Sequence, residues 1–231
     1  MPGAPAPALG LTGTLALLVS PLVLSAVWVT IWTAIAAQAI AALCGVPLAL
    51  AELSSLKPLK AVAWFYNWLF QGTPLLMQLI FFWAVLPILG LRLPLIVAGI
   101  VALALNEAAR MSQIIRAAII GVDPRQFEAA RTLGMSSWQI FRLIIVPQAL
   151  RLMLPPTGNE LNYQFKATSL LAAISVVELT RQTLNFADRD PAHPLPYFAV
   201  AAFYYFAMST AWGLVQQRLE NRAERRGFAE S

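Results

Sequence analysis

Asn106, Glu107, Arg110 and Gln113 stand within an otherwise apolar stretch, residues 94–120. An ionisable group near the centre of a membrane helix costs at least about 2.5–3.5 kcal/mol, so it faces a bundle interior, a partner or a water-filled path. Spacings of three and four residues put Asn106, Arg110 and Gln113 on one helical face, with Glu107 beside Arg110. Two readings stand. Glu107 and Arg110 neutralise each other as a structural pair, or the face lines a path and contacts a solute that carries a carboxylate or an ammonium. A second group follows at Asn159, Glu160, Gln164, Lys166, Thr168 and Ser169. Pro155 and Pro156 remove two backbone donors and Gly158 loosens the chain, so a helix break is expected near Asn159 and Glu160. Broken membrane helices expose backbone groups that hold polar ligands; the alternative is a kink at the membrane face with Glu160 hydrated. Lys166 is free to pair with Glu160 or a partner chain, or to reach the interface along its own aliphatic stem. Thr73 and Pro74, after Gln71, read as a helix cap rather than a binding group.

Other chemistries lack their residues. No Gly-x-x-x-x-Gly-Lys-Ser/Thr loop occurs to cradle ATP phosphates, so no ATP site and no cofactor are expected on this chain. The single histidine, His193, lies in a Pro-rich loop with no metal-ligand cluster around it, and Cys44 has no partner for a disulfide. No Ser or Cys has a nearby His to activate it, so catalysis by this chain is not expected.

The elements that must position these residues follow from composition. Hydrophobic residues make up 59% of the 231 and charged residues 12%, against roughly 45–50% and 25% in an ordinary soluble domain. With a mean hydropathy of +0.67, the chain reads as an all-α polytopic membrane protein. Apolar stretches at residues 25–51, 73–89, 94–120, 157–179 and 197–216 give about five spans. Residues 1–24 read as an N-terminal extension with an interfacial helix over 9–24, or as part of a sixth span. Residues 25–218 form one membrane domain and 219–231 a basic tail. An outside N-terminus puts Lys57, Lys60, Arg116, Arg125, Arg131, Arg142, Arg151, Arg218, Arg222, Arg225 and Arg226 inside, and only Arg92, Arg181 and Arg189 outside. That bias gives a cytoplasmic C-terminus, and it explains the net charge of +5 without a nucleic-acid partner. Residues 60–70, with Trp64, Tyr66 and Trp68, read as an amphipathic helix in the plane of the cytoplasmic face.

The loop at residues 121–147 is polar enough to leave the bilayer and is patterned as two short helices. Asp123 can cap the first, Pro124 suits its first position, and Gln126 can reach back to the cap backbone. Gly134 suits a left-handed turn, and Ser136 restarts a helix as its cap. Taken alone, this pattern also fits an amphipathic hairpin lying idle on the membrane.

The run Glu128-Ala129-Ala130-Arg131-Thr132-Leu133-Gly134, followed by Phe141, Pro147, Gln148, Ala149 and Leu150, resembles the EAA loop of ABC importer permeases. From about Ser25 onward the chain is similar to the polar amino acid uptake branch of that family. The resemblance rests on Gly-Thr-Pro-Leu at 72–75, Pro-Gln-Ala-Leu-Arg at 147–151 before Pro155-Pro156, and Lys-x-Thr-Ser-Leu at 166–170. It implies a type I importer permease of five spans in the bacterial inner membrane. It further implies a second permease of the same or similar sequence, an ATPase dimer, an extracytoplasmic binding protein and an amino acid as cargo. In that family the EAA helix docks in a cleft of the ATPase, which makes Glu128, Ala129, Ala130, Arg131 and Gly134 coupling candidates. Ala129 and Ala130 are small enough for close approach, and Glu128 offers an acceptor to the partner or pairs with Arg131. Asn106, Glu107, Arg110, Gln113, Asn159, Glu160, Lys166 and Thr168 are the path candidates. An ion-coupled secondary carrier is the alternative that these buried charges leave open. Arg110 stands where the family pattern has Tyr, Gln113 where it has Glu, and Arg125 where it has Gly, which leaves the transported amino acid open.

Overall fold

The computed structural model describes residues 11–228; the start of the N-terminal extension and the last three residues of the basic tail lie outside the described residues. Helices account for the fold, and no strand occurs among the described residues. In order they are α1 (Leu11–Leu18), α2 (Pro21–Leu53), α3 (Lys57–Gly72), α4 (Leu75–Ile80), α5 (Leu95–Ile120), α6 (Pro124–Thr132), α7 (Ser137–Ile140), α8 (Val146–Ala167), α9 (Leu179–Arg189) and α10 (Leu195–Phe228).

The first long helix starts at Pro21, four residues before the expected span, because proline suits a first helical turn that has no need of its N–H. At 33 residues it is about 50 Å long, well beyond a ~30 Å hydrocarbon core. Three described helices are long and apolar enough to cross a membrane: α2, α5 and residues Leu195–Ala223 of α10. A fourth crossing is available if α3 and the segment Leu75–Val85, bent by 102° to each other, act as one. The expected span at 73–89 is thus a short helix running into a π turn at Phe81–Val85.

The expected break near Asn159 does not occur. α8 continues through Pro155 and Pro156 to Ala167, and the chain tightens only afterwards, into a 3₁₀ turn at Thr168–Ile174 that ends on left-handed Ser175 at φ 64°. Proline's fixed φ is itself helical, so a helix can run through it at the cost of lost hydrogen bonds and crowding against the preceding turn. α10 braces this stretch: Gln216 Nε2 donates to Pro155 O at 3.1 Å and to Asn159 Oδ1 at 3.2 Å.

Residue contacts divide the chain into two compact units. The first holds the described residues up to Ala37, Leu75–Leu103 and Asn162–Trp212. Its core is Val23, Val27, Leu179, Val200 and Ala201, ringed by Phe186, Tyr204 and Tyr205. Buried Glu178 caps α9 by accepting from the N–H of Thr180 and Arg181, and Tyr205 donates to the same carboxylate at 3.0 Å.

The second unit holds Gln38–Pro74, Ala104–Leu161 and the chain from Gly213 onward. Its core is small: Ala41, Ala49, Ala108, Met111 and Ile115. Small side chains let helix backbones approach closely, which is how helices associate where lipid offers no hydrophobic drive. Gly45 marks a close approach of α2 to α5, since a Cβ there would stand 2.9 Å from Met111 Cβ and 3.1 Å from the Ser112 nitrogen. Neither atom is the end of a flexible chain. Gly45→Val is therefore expected to destabilise the protein by about 1–3 kcal/mol through overpacking, read as a lower thermal-unfolding midpoint in detergent. An unchanged midpoint would show that α2 and α5 are not packed this closely.

Candidate functional site

α5 is apolar apart from one polar seam, and its fold-determining role is to carry that seam through the second unit. Arg110 is the centre. Its Nε lies 3.2 Å from Glu107 Oε2 and 3.4 Å from Glu160 Oε2 of α8, and its Nη2 donates to Asn106 Oδ1 at 2.9 Å. The Glu107 side chain is fully buried, whereas those of Arg110 and Glu160 are 33% and 23% exposed. The pairing of Glu107 with Arg110 is therefore present, and Glu160 joins it from a helix some 50 residues on. Glu107 Oε1 is buried and has no hydrogen-bond partner. Backbone carbonyls hold the seam against α3: Asn106 donates to Phe70 O at 3.0 Å, and Gln71 donates to Ala109 O at 3.2 Å.

Gln113 turns elsewhere. Its amide donates to Glu52 Oε1 at 2.9 Å, an oxygen that also accepts from Asn67, while Arg116 Nε lies 3.4 Å from Glu52 Oε2. Glu52 is thus the hub of a second polar cluster that sequence reasoning missed. Its hydrogen-bond partners Asn67 and Gln113 are 15 and 61 residues away, Arg116 is further still, and the one available signal was a lone acid closing a long apolar run.

The remaining path candidates divide. Asn159 is engaged by Gln216 of α10. Glu160 is engaged by Arg110 rather than by Lys166, whose side chain is exposed. Thr168 is buried, and its hydroxyl donates to Phe165 O at 2.7 Å, securing the turn into the 3₁₀ segment. Lys166 and Thr168 belong to the first unit. Thr73 Oγ1 donates back to Leu69 O at 2.8 Å, onto the helix it ends.

The loop forms the expected helical hairpin. The Asp123 side chain accepts from Arg125 N at 2.9 Å to start α6, with Pro124 first in the helix. Gly134 takes φ +78°, which L side chains rarely adopt, and the chain reverses. Ser136 and Gln139 form a full capping box at the start of α7. Gln126 does not reach back to its cap; its carbonyl oxygen accepts from the Gln148 amide instead. Ala130 and Ile140 are buried, so Ala130 does not stand open on the surface. Glu128, Ala129 and Arg131 are exposed, as are Leu133 and Trp138 at 81% and 66%. The Glu128 carboxylate makes no ion pair with Arg131 among the described residues.

Long apolar helices, a buried charge cluster and a polar hairpin that leaves them define a multi-pass membrane transport component. The chain belongs to the family described as "Binding-protein-dependent transport system inner membrane component", which matches residues 39–225. It is 34% identical over 195 residues to the arginine transport system permease protein ArgU of Corynebacterium glutamicum, covering 78% of this chain and 61% of that relative's length. It is 36% identical over 177 residues to the L-cystine transport system permease protein TcyB of Bacillus subtilis, covering 77% and 76% of the two chains. A crystal structure of an amino acid ABC transporter with histidines superposes at a TM-score of 0.82 with 36% identity, over 87% of this chain and 94% of that one. The MetNI methionine ABC transporter superposes at 0.75 with 17% identity, which shows the fold alone. The protein is the membrane permease subunit of an ABC importer of type I fold, and ATP is hydrolysed in a partner subunit. An ion-coupled secondary carrier is set aside by that family membership.

Replacing Arg110 by Met strands two carboxylates, and breaking one side of a buried pair costs roughly 3 kcal/mol. The double change Glu107→Gln with Arg110→Met removes the fully buried one of the two stranded charges and is expected to recover part of that loss in thermal-unfolding measurements. Equal midpoints for single and double variants would show that the two residues are not coupled.

Proposed function

We propose that the protein carries an amino acid inward across the bacterial inner membrane, with its N-terminus outside and its C-terminus in the cytoplasm. It works beside a second permease subunit, an ATPase dimer docked on the α6–α7 hairpin and an extracytoplasmic binding protein. The relatives named for arginine and L-cystine transport support the cargo class.

The observation that carries this reading is the bracketing of Arg110 by Glu107 and Glu160. An amino acid brings one carboxylate and one ammonium, and the cluster holds a charge to answer each. Glu160 is the more accessible acid, so the cargo exchanges ion pairs: its carboxylate takes Arg110 and its ammonium takes Glu160. Glu107 stays with Arg110 and keeps the guanidinium in place when the cargo leaves. Exchange of pairs avoids stripping any charge bare at membrane depth, where an unanswered ion is most costly.

Coupling runs through the hairpin. Gly134 and the two capped helix starts make it a rigid lever, and Glu128 with Leu133 and Trp138 is what it offers to the ATPase. Closure of the ATPase dimer moves this lever, and α5 and α8, which flank it in sequence, carry the motion to the Arg110 cluster.

Uptake into vesicles containing the permease, its ATPase and its binding protein tests both parts. Glu128→Arg is expected to lower ATP-driven uptake about ten- to hundredfold, the loss of one charge-assisted contact, while the ATPase keeps its basal turnover. Full uptake by that variant would refute coupling through Glu128.

A further inference from the structure

Beside Glu52 lies a cavity of about 620 Å³ that the transport reading does not use. Its walls include Lys60, Trp64 and Trp68 of α3, Gln113 and Arg116 of α5, and Glu52 at the end of α2. Glu52 is the one acid in this lining, and both its oxygens are occupied, one by the amides of Asn67 and Gln113 and the other by Arg116 Nε at 3.4 Å. Arg116 is paired with Glu52 alone, and the ammonium of Lys60 has no partner among the described residues. Two cations against one acid leave a local excess of one positive charge.

The rim is aromatic. The indoles of Trp64 and Trp68 stack with centroids 6.3 Å apart and planes 13° from parallel, and both are more than half exposed. Val62, Phe65 and Leu69 continue the exposed apolar surface of the same helix. Indoles settle at the level of lipid head groups, and basic pockets between helices on the cytoplasmic side suit anionic heads.

We propose that this cavity binds the head group of an anionic phospholipid. The phosphodiester lies against Lys60 and Arg116, the ester region against the two indoles, and the acyl chains along the apolar face of α3. A singly charged phosphodiester matches the single excess charge, whereas a zwitterionic lipid brings no net charge to answer it. The site goes beyond the transport reading and stands whatever the cargo is.

The full-length chain in bilayers of phosphatidylcholine, with and without phosphatidylglycerol, tests the site by quenching tryptophan emission with acyl chains brominated on one lipid or the other. Brominated phosphatidylglycerol is expected to quench more strongly at equal content. Trp64→Phe with Trp68→Phe should remove that difference, assigning it to these two of the seven tryptophans. Lys60 is exposed, so Lys60→Gln spares the fold and is expected to weaken the preference about fivefold, with Lys60→Arg restoring it. Equal quenching by the two lipids, an unchanged preference in Lys60→Gln, or abolition of the preference by inorganic phosphate in solution would each overturn the proposal. Uptake that persists after such a result would leave the transport reading standing.

Discussion

A charge inside an apolar helix has to be answered from within the protein, and the second unit is organised around meeting that demand twice. Glu107 is fully buried, so Arg110 one turn away is held to it, and Asn106 and Glu160 complete the shell. Glu52 makes the same demand at the end of α2 and draws in Asn67, Gln113 and Arg116. These contacts tie α2, α3, α5 and α8 together more specifically than apolar packing does, because hydrogen bonds have direction and lipid-like surfaces do not. Tyr66, donating to Leu105 O at 2.7 Å, adds one more stitch between α3 and α5.

That polar framework is compatible with close helices only because the surrounding core is small. Alanines line the contacts of the second unit, and Gly45 admits the backbone of α5. In the first unit Gly99 serves the same end, with Leu171 of the 3₁₀ turn seated where a Cβ would be, its Cδ2 2.7 Å from that position. Large apolar side chains such as Trp28, Leu43 and Phe206 are instead turned outward. A membrane protein inverts the usual economy of surface and core in this way because its solvent is itself apolar.

Legibility tracked the range of the interaction. The hairpin was readable in detail, since Asp123, Gly134, Ser136 and Gln139 act on neighbours within four residues. The pairing of Glu107 with Arg110 was readable for the same reason. Gln126 was misread because a distant amide, Gln148, outcompeted its local cap. The unbroken α8 was misread because proline chemistry is local, while the bracing by Gln216 comes from 61 residues away.

The sequence by itself determined the class of molecule: its apolar stretches demand a membrane, its loop signature marks the family, and its helix starts and stops are written in caps. Only the tertiary structure decided which polar groups answer one another. Glu52 as a hub, Gln113 turned away from Arg110 and Glu160 turned towards it all depend on helices far apart in the chain. Patterns along a chain report the face a residue occupies, but the partner on that face is chosen by which helix packs there.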